Sequence, residues 1–395
     1  MFRLKFVSML FLSLLSCVIT GWSSPIYSSN GIGIVIPDDT GQSRGMGGAG
    51  IANDSGKIMM RGNPALLGSF KQHSFSMGVF TDRNTVFTGG RSNPTFTNTT
   101  LDLFKLVLPI AKGFVFGWGL SPFSRTDSII KYSGDTYTDM VTYKGGLNVS
   151  SVGIAGSYRD IVRLGISFNY NFGMIEEEWS RTFIQQDNLA GTYDWVKRKY
   201  TGYSTTFGIL AHVLKNTTVG IGYTGKADLD LSVHVRPGSY SNPEQEYSTM
   251  KTALPANWRF GVTSVFNESA TASMDISLTQ WEKSVRTPEE KVMYTDTYNF
   301  GAGMRISESQ EYNASFFRKF PISAGFKFGT MYYKSYPKVD TVFERAFTLG
   351  IEIPFIDNMA SIISSFEFGI RGDKSKNGWE ENYTNIGLLL IGTIK

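Results

Sequence analysis

The chain has 395 residues and a formal charge of +4, with 42 Gly, 55 aromatic residues and a single cysteine. It is too rich in apolar and aromatic residues for a largely disordered protein, and too poor in cysteine for a small disulfide scaffold. Removing Arg3 and Lys5 with the first 24 residues brings the charge to +2, and near neutrality excludes a general nucleic-acid binder.

Arg3 and Lys5 precede an apolar stretch from Phe6 to Ile19, followed by Gly21, Ser23 and Ser24. This is the order of a secretory signal, and residues 1–24 are assigned to it, with cleavage expected near Gly21 or Ser23. The alternatives are a retained anchor, for which the run is short, and a lipoprotein signal. Leu14-Leu15-Ser16-Cys17 loosely resembles a lipobox, but Leu15 is atypical there, so Cys17 is expected to be discarded. No later stretch of 18 apolar residues occurs, which excludes spanning helices but not a barrel of short alternating strands.

Residues 25–70 form a separate module. They contain Gly41-Gln42-Ser43-Arg44-Gly45-Met46-Gly47-Gly48-Ala49-Gly50 and then Gly62-Asn63-Pro64-Ala65. Gly45, Gly47, Gly48 and Gly50 permit positive φ and close backbone approach. Pro64 biases Asn63 toward an extended conformation, and the Asn63 side chain can bond neighbouring backbone. The glycine run lacks a following Gly-Lys-Ser/Thr, so it is no nucleotide loop. The bland alternative is a flexible tail.

Residues 71–395 alternate with period two. In Val162–Met174 one parity is apolar throughout, while the other holds Arg163, Gly165, Ser167, Asn169, Asn171 and Gly173. The pattern recurs at 270–278, 300–306, 322–329, 347–353 and 366–371. Fourteen strands are expected: 72–81, 99–110, 112–120, 146–158, 161–176, 194–213, 216–236, 255–267, 269–283, 296–308, 320–333, 342–355, 359–372 and 381–394. A soluble β-sandwich also alternates, but its water-facing sides carry more charge than this Gly-, Ser-, Thr- and Asn-rich parity. The expected fold is all-β, a fourteen-stranded antiparallel transmembrane barrel with an N-terminal hatch. Arg163, Asp275, Arg305, Lys327, Glu352, Glu367 and Arg371 fall on the polar parity and are expected to line the lumen as a polar lining, paired across strands or with plug backbone. Trp179, Trp195, Trp258, Trp281 and Trp379 lie near strand ends, where an interfacial girdle would sit. Segments 121–145, 177–193, 237–253 and 284–295 read as long outer loops.

His73, His212 and His234 are scattered, and Glu176-Glu177-Glu178 reads as a solvated loop base, since consecutive strand residues cannot share a face. No metal site, cofactor or enzyme activity is expected, although an esterase-like barrel could assemble its groups from distant strands.

The chain resembles the FadL/OmpP1/TodX family of outer-membrane transport proteins. The glycine-rich stretch, Asn63-Pro64-Ala65, the later Leu254-Pro255-Ala256-Asn257-Trp258-Arg259-Phe260-Gly261 and Asp275 through Trp281 carry the likeness. The resemblance implies a hatch gated by Gly45, Gly47, Gly48, Gly50, Asn63, Pro64 and Ala65. It also implies outer-membrane transport of long-chain fatty acids or related small hydrophobic compounds in a Gram-negative bacterium. The expected partners are outer-membrane lipid and lipopolysaccharide, a small hydrophobic ligand, and the barrel-assembly machinery during biogenesis. The alternative is a non-enzymatic adaptor or shuttle barrel bound to a protein secretion complex.

Overall fold

The computed structural model describes residues 26–29, 31–87, 95–184, 190–238, 243–267, 269–284, 293–309, 316–335, 340–355 and 359–394. The signal segment with Arg3, Lys5 and Cys17, and most of 284–295, lie outside the described residues.

Fourteen antiparallel wall strands close into one barrel. They are β1 His73–Phe87, β2 Thr95–Ala111, β3 Phe114–Pro122 continued by Ser124–Ser133, β4 Tyr137–Tyr158, β5 Val162–Phe183, β6 Thr192–Leu214, and β7 Thr217–Thr224 continued by Ala227–Arg236. Then follow β8 Gln245–Leu254 continued by Asn257–Phe266, β9 Ala270–Thr279, β10 Thr297–Ile306, β11 Ile322–Thr330, β12 Phe343–Phe355, β13 Ala360–Gly372 and β14 Glu380–Ile394. β14 pairs with β1 from Ile394↔His73 to Glu380↔Phe87, which closes the wall.

The parity in the sequence is the parity of the wall. Leu164 and Phe168 on β5 are 57% and 54% exposed, whereas Arg163 and Asn169 are 6% and 1% exposed. The apolar side forms an outward band suited to hydrocarbon, and closure pairs the backbone groups that lipid could not satisfy. Outward aromatics meet in rows: Tyr223 lies tilted against Trp258 at 4.3 Å, and Phe328 stacks on Phe343 at 5.9 Å. Trp179 and Trp258 are exposed, as a girdle requires, but Trp195 and Trp281 are buried and pack inside the loop end.

At the end bearing His73 and Ile394, most connections are very short: 112–113, 159–161, 215–216 and 267–269, with one longer at 307–321. The opposite end carries the longer loops. There the reading of 121–145, 177–193 and 237–253 as loops is corrected: strand continues through most of these residues. Once a strand leaves the apolar band both its faces meet water, so alternation fades while the hydrogen-bond ladder persists. Glu176, Glu177 and Glu178 likewise sit within β5 rather than at a loop base. They pair with Lys197 at 3.1 Å, Arg198 at 2.9 Å and Lys144 at 3.3 Å on neighbouring strands.

Three wall strands are interrupted once. β3 breaks at Phe123, after Pro122, which has no N–H for a ladder. Opposite it, Gly145 and Gly146 of β4 adopt φ of +107° and +148°, values only glycine takes without strain. β7 breaks at Gly225-Lys226 and β8 at Pro255-Ala256. Pro255 thus interrupts a wall strand rather than starting one.

The N-terminal module packs inside this barrel. It begins at the loop end, where the Tyr27 hydroxyl donates to the Trp379 carbonyl at 3.2 Å, and reaches the turn end before β1. Its centre is a dry cluster of Ile51, Ala52, Ile58, Met60, Ala65 and Leu66, closed by Leu210 of β6.

Candidate functional site: the lumen and its N-terminal module

The module contains little regular structure, so its polar groups are satisfied one by one. Thr40 opens a one-turn helix, Gly41–Arg44, through a capping box with Ser43. Gly47 and Gly48 then turn at φ +72° and +81°. The Gly47 N–H donates to Thr348 Oγ1 at 2.8 Å, and the Gly50 and Ile51 N–H groups both donate to Asp275 Oδ2, at 2.7 and 2.8 Å. Gly45 lies against Ser323 and Gly350, where a Cβ would overlap the wall. Asn63 caps the 3-10 helix Pro64–Ser69: its Oδ1 accepts from Ala65 N–H at 3.1 Å, and its Nδ2 donates to the Ile51 and Ile209 carbonyls at 2.8 and 3.2 Å. The structure thus brings Gly45, Gly47, Gly50, Asn63, Pro64 and Ala65 onto the inner wall, while Gly48 borders the luminal cavity.

The wall is shaped to receive them. A Cβ at Gly222 would overlap the Gly62 carbonyl, one at Gly208 the Asn63 side chain, and one at Gly325 or Gly303 the Met46 backbone. Sequence reading missed this cradle. Its signal was present as glycine recurring on the luminal parity of several strands.

The seven charged residues of the polar parity all point inward, and each is matched by another wall residue or by the module. Lys327 lies 3.0 Å from Glu344 and 2.5 Å from Glu367; Arg371 lies 2.7 Å from Glu344 and 2.8 Å from Glu381; Arg305 lies 2.9 Å from Glu352. Arg163 and Asp275 are occupied by the module, through Asp54 and the two amides. Such matched pairs limit the penalty of burying charge.

A different balance holds beside a luminal cavity of about 230 Å³. Ile36, Phe123, Leu254 and Trp281 give it an apolar side, and Asp38 and Arg61 a polar one. Asp38 accepts the Gly62 N–H at 2.6 Å and faces Arg259 at 3.7 Å. Burial pushes the Asp38 carboxyl up, but Arg61, Lys105, Arg259 and the Gly62 amide together hold it below the usual range. Arg61 is half-buried; its guanidinium donates to Ser121 Oγ at 3.0 Å and lies over the Phe123 ring at 5.5 Å. Burial lowers its affinity for a proton, and Arg259 adds to that, against Asp38. Two guanidinium groups therefore flank Asp38 at the cavity wall, and Arg259 also acts on Asp275.

Phe123, on the cavity wall, also marks the start of a seam. β2 and β3 pair from Ala111↔Phe114 up to Phe104↔Leu120, and among the described residues no ladder joins 95–103 to 124–133. Beyond Phe123, β3 turns inward and pairs Ser124 and Arg125 with Val35 and Ile34 of the module. Side chains bridge the seam: Arg125 donates to Thr100 at 2.5 Å and pairs with Asp82, and Asn98 donates to Asp127. Above the cavity, Tyr332 stacks on Trp281 at 4.2 Å, and its hydroxyl donates to the Gly33 carbonyl and accepts the Ile32 N–H.

Among the described residues no cluster of three metal-ligating side chains occurs. Thr218, His212 and Asp54 form a hydrogen-bonded row, at 3.3 and 2.7 Å, but none of them lines the cavity. They join module to wall.

Comparison with known proteins agrees with this geometry. A sequence model of the family described as BamG matches residues 1–391. No curated protein matches. The Ralstonia pickettii toluene transporter TbuX is 16% identical, with a TM-score of 0.61 covering 91% of this chain and 99% of that one. The Pseudomonas putida toluene transporter TodX is 13% identical, with a TM-score of 0.57 and the same coverage. A Pseudomonas aeruginosa FadL homologue is 10% identical, with a TM-score of 0.58 over 95% of this chain and 100% of that one. At these identities the likeness establishes a shared fold.

Proposed function

The chain belongs to the BamG family, and on that premise and the geometry above we propose that it is an outer-membrane barrel carrying small hydrophobic compounds past an N-terminal plug. Long-chain fatty acids are the foremost candidates. The short-turn end faces the periplasm and the long-loop end the exterior, as in bacterial barrels. One observation carries the reading: a cavity with an apolar side of Ile36, Phe123 and Leu254 presents the Arg61 and Arg259 guanidinium groups on its polar side, next to the break of β3 at Phe123. An acyl chain would lie along Ile36, Phe123 and Leu254, and its carboxylate would meet Arg61 in a charge-assisted pair. No bond is made or broken, so no catalytic group is assigned. The transport of toluene by TbuX and TodX supports a hydrophobic cargo for this fold.

The family designation favours a second reading, in which the barrel serves the barrel-assembly machinery or a secretion complex as a non-enzymatic partner. The strands that continue beyond the apolar band would offer the contact surface. Purified protein in nanodiscs is to be titrated with labelled fatty acid. Saturable binding supports transport. Its absence, with reproducible capture of an assembly or secretion complex, selects the second reading.

A further inference from the structure

The module is held to the wall in two physically different ways. At Gly47, Gly50 and Ile51 its backbone fills the glycine cradle, and Asp275 Oδ2 receives both of its hydrogen bonds from module amides. Withdrawing them would strand a buried carboxylate.

The turn Asn53–Lys57 is different. It leaves the dry core at Ala52 and returns to it at Ile58, both fully buried, while Ser55 between them is exposed. Gly56 turns it at φ +65°, and the Ser55 N–H donates to Asn53 Oδ1. It crosses the turn end of the lumen between opposite walls. On one side Asp54 meets Arg163 of β5 and His212 of β6, each at 2.7 Å. On the other, Lys57 meets Glu352 of β12 at 2.6 Å.

Each wall partner has a second counter-group on the wall itself. Arg163 has Asp160 at 3.8 Å, His212 has Thr218 at 3.3 Å, and Glu352 has Arg305 at 2.9 Å. If the turn lifts away, Arg163 and Glu352 each keep an opposite charge and His212 keeps its hydrogen bond to Thr218, so the exchange lessens the penalty of breaking a buried ion pair. The neighbouring Asp275 contact has no such substitute among its hydrogen bonds.

We propose that Asn53–Lys57 is a releasable crossbar at the periplasmic mouth. It swings between fixed ends at Ala52 and Ile58 when Arg163 passes from Asp54 to Asp160, while the Gly47–Ile51 corner stays seated. The proposal deepens the transport reading and rests on it only for its purpose, since the motion itself needs no cargo.

The test places a spin label at Ser55→Cys in the full barrel in nanodiscs, with heat-modifiable gel migration as the folding control. Asp54→Asn is expected to raise the mobile fraction of the label several-fold. Asp160→Asn, which removes the alternative partner, is expected to lower it. Hydrogen exchange at the Gly47, Gly50 and Ile51 amides stays slow in both. A role in static packing alone would move the two variants in the same direction, or leave Asp160→Asn without effect, and either result overturns the crossbar. Loss of protection at Gly50 and Ile51 in Asp54→Asn would overturn it as well, because the whole module would then be leaving. Failure to bind fatty acid, with these label responses intact, would count against the transport reading alone.

Discussion

Asp275 in the middle of β9 accepts the amide hydrogen of Gly50 at 2.7 Å, a contact across 225 residues of chain. The same oxygen takes the Ile51 amide. One wall carboxylate thus fixes the direction in which the module's backbone leaves its glycine turn. Replacing Asp275 with Ala is expected to weaken seating of the module by roughly 2 kcal/mol, the scale of a charged hydrogen bond left without its acceptor. The barrel should still fold, because its strands keep their own ladder and apolar band. A lower urea midpoint for module release, with unchanged heat-modifiable migration, is the expected result.

Gly325→Val is expected to act from the opposite side of the same contact. The new side chain would enter the Met46–Gly47 backbone, which cannot move without breaking the Thr348 hydrogen bond. Protease sensitivity of the module in a folded barrel would show displacement, whereas Gly113→Ala, at a short turn away from the module, should leave that sensitivity unchanged.

Arg61→Met is expected to separate cargo by head group. Binding of a labelled long-chain fatty acid should fall about tenfold or more, as loss of a charge-assisted hydrogen bond implies. Affinity for a neutral hydrocarbon of similar length should change little, because the apolar cavity side is retained. Equal losses for both ligands would remove Arg61 from the binding account.

Adjacent acids in the module should respond oppositely to acid. Asp38 is held below its ordinary range, so its stabilisation of the seated module is complete above about pH 4 and is lost as pH falls through its folded value. Burial, with Glu367 adding to it, raises the Asp39 carboxyl despite Arg44 and Lys327. Its charged form therefore opposes seating, and that opposition is relieved as pH falls through the raised value toward about 4. Mild acid should first firm the module and stronger acid then loosen it. Asp39→Asn should remove the first limb and Asp38→Asn the second, in urea midpoints recorded against pH.

Much of this was legible in the sequence wherever two environments differ sharply. On β5, lipid and lumen impose opposite chemistry on alternate residues, so Leu164 and Arg163 announce their faces. Beyond the apolar band that contrast ends, and Glu176–Glu178 reads as loop although it is strand. The local devices of the module, the Gly45–Gly50 run and the Asn63-Pro64 cap, are also visible, since their chemistry lies within a few residues. Their partners are not: the approach of Asp275 to Gly50, or of Glu352 to Lys57, depends on barrel closure. Arg61 carried no signal at all, because its place on the cavity's polar side, beside Asp38 and Arg259, exists only once the module is seated in the barrel.

On this reading the N-terminal module closes an otherwise open barrel. Deleting residues 30–62 and recording single channels in planar bilayers tests it most directly, with a folding assay on the same preparation. The expected result is an inserted, folded barrel with a large stable conductance to small ions, where the full chain shows little. A fully folded deletion variant with the conductance of the full chain would contradict it.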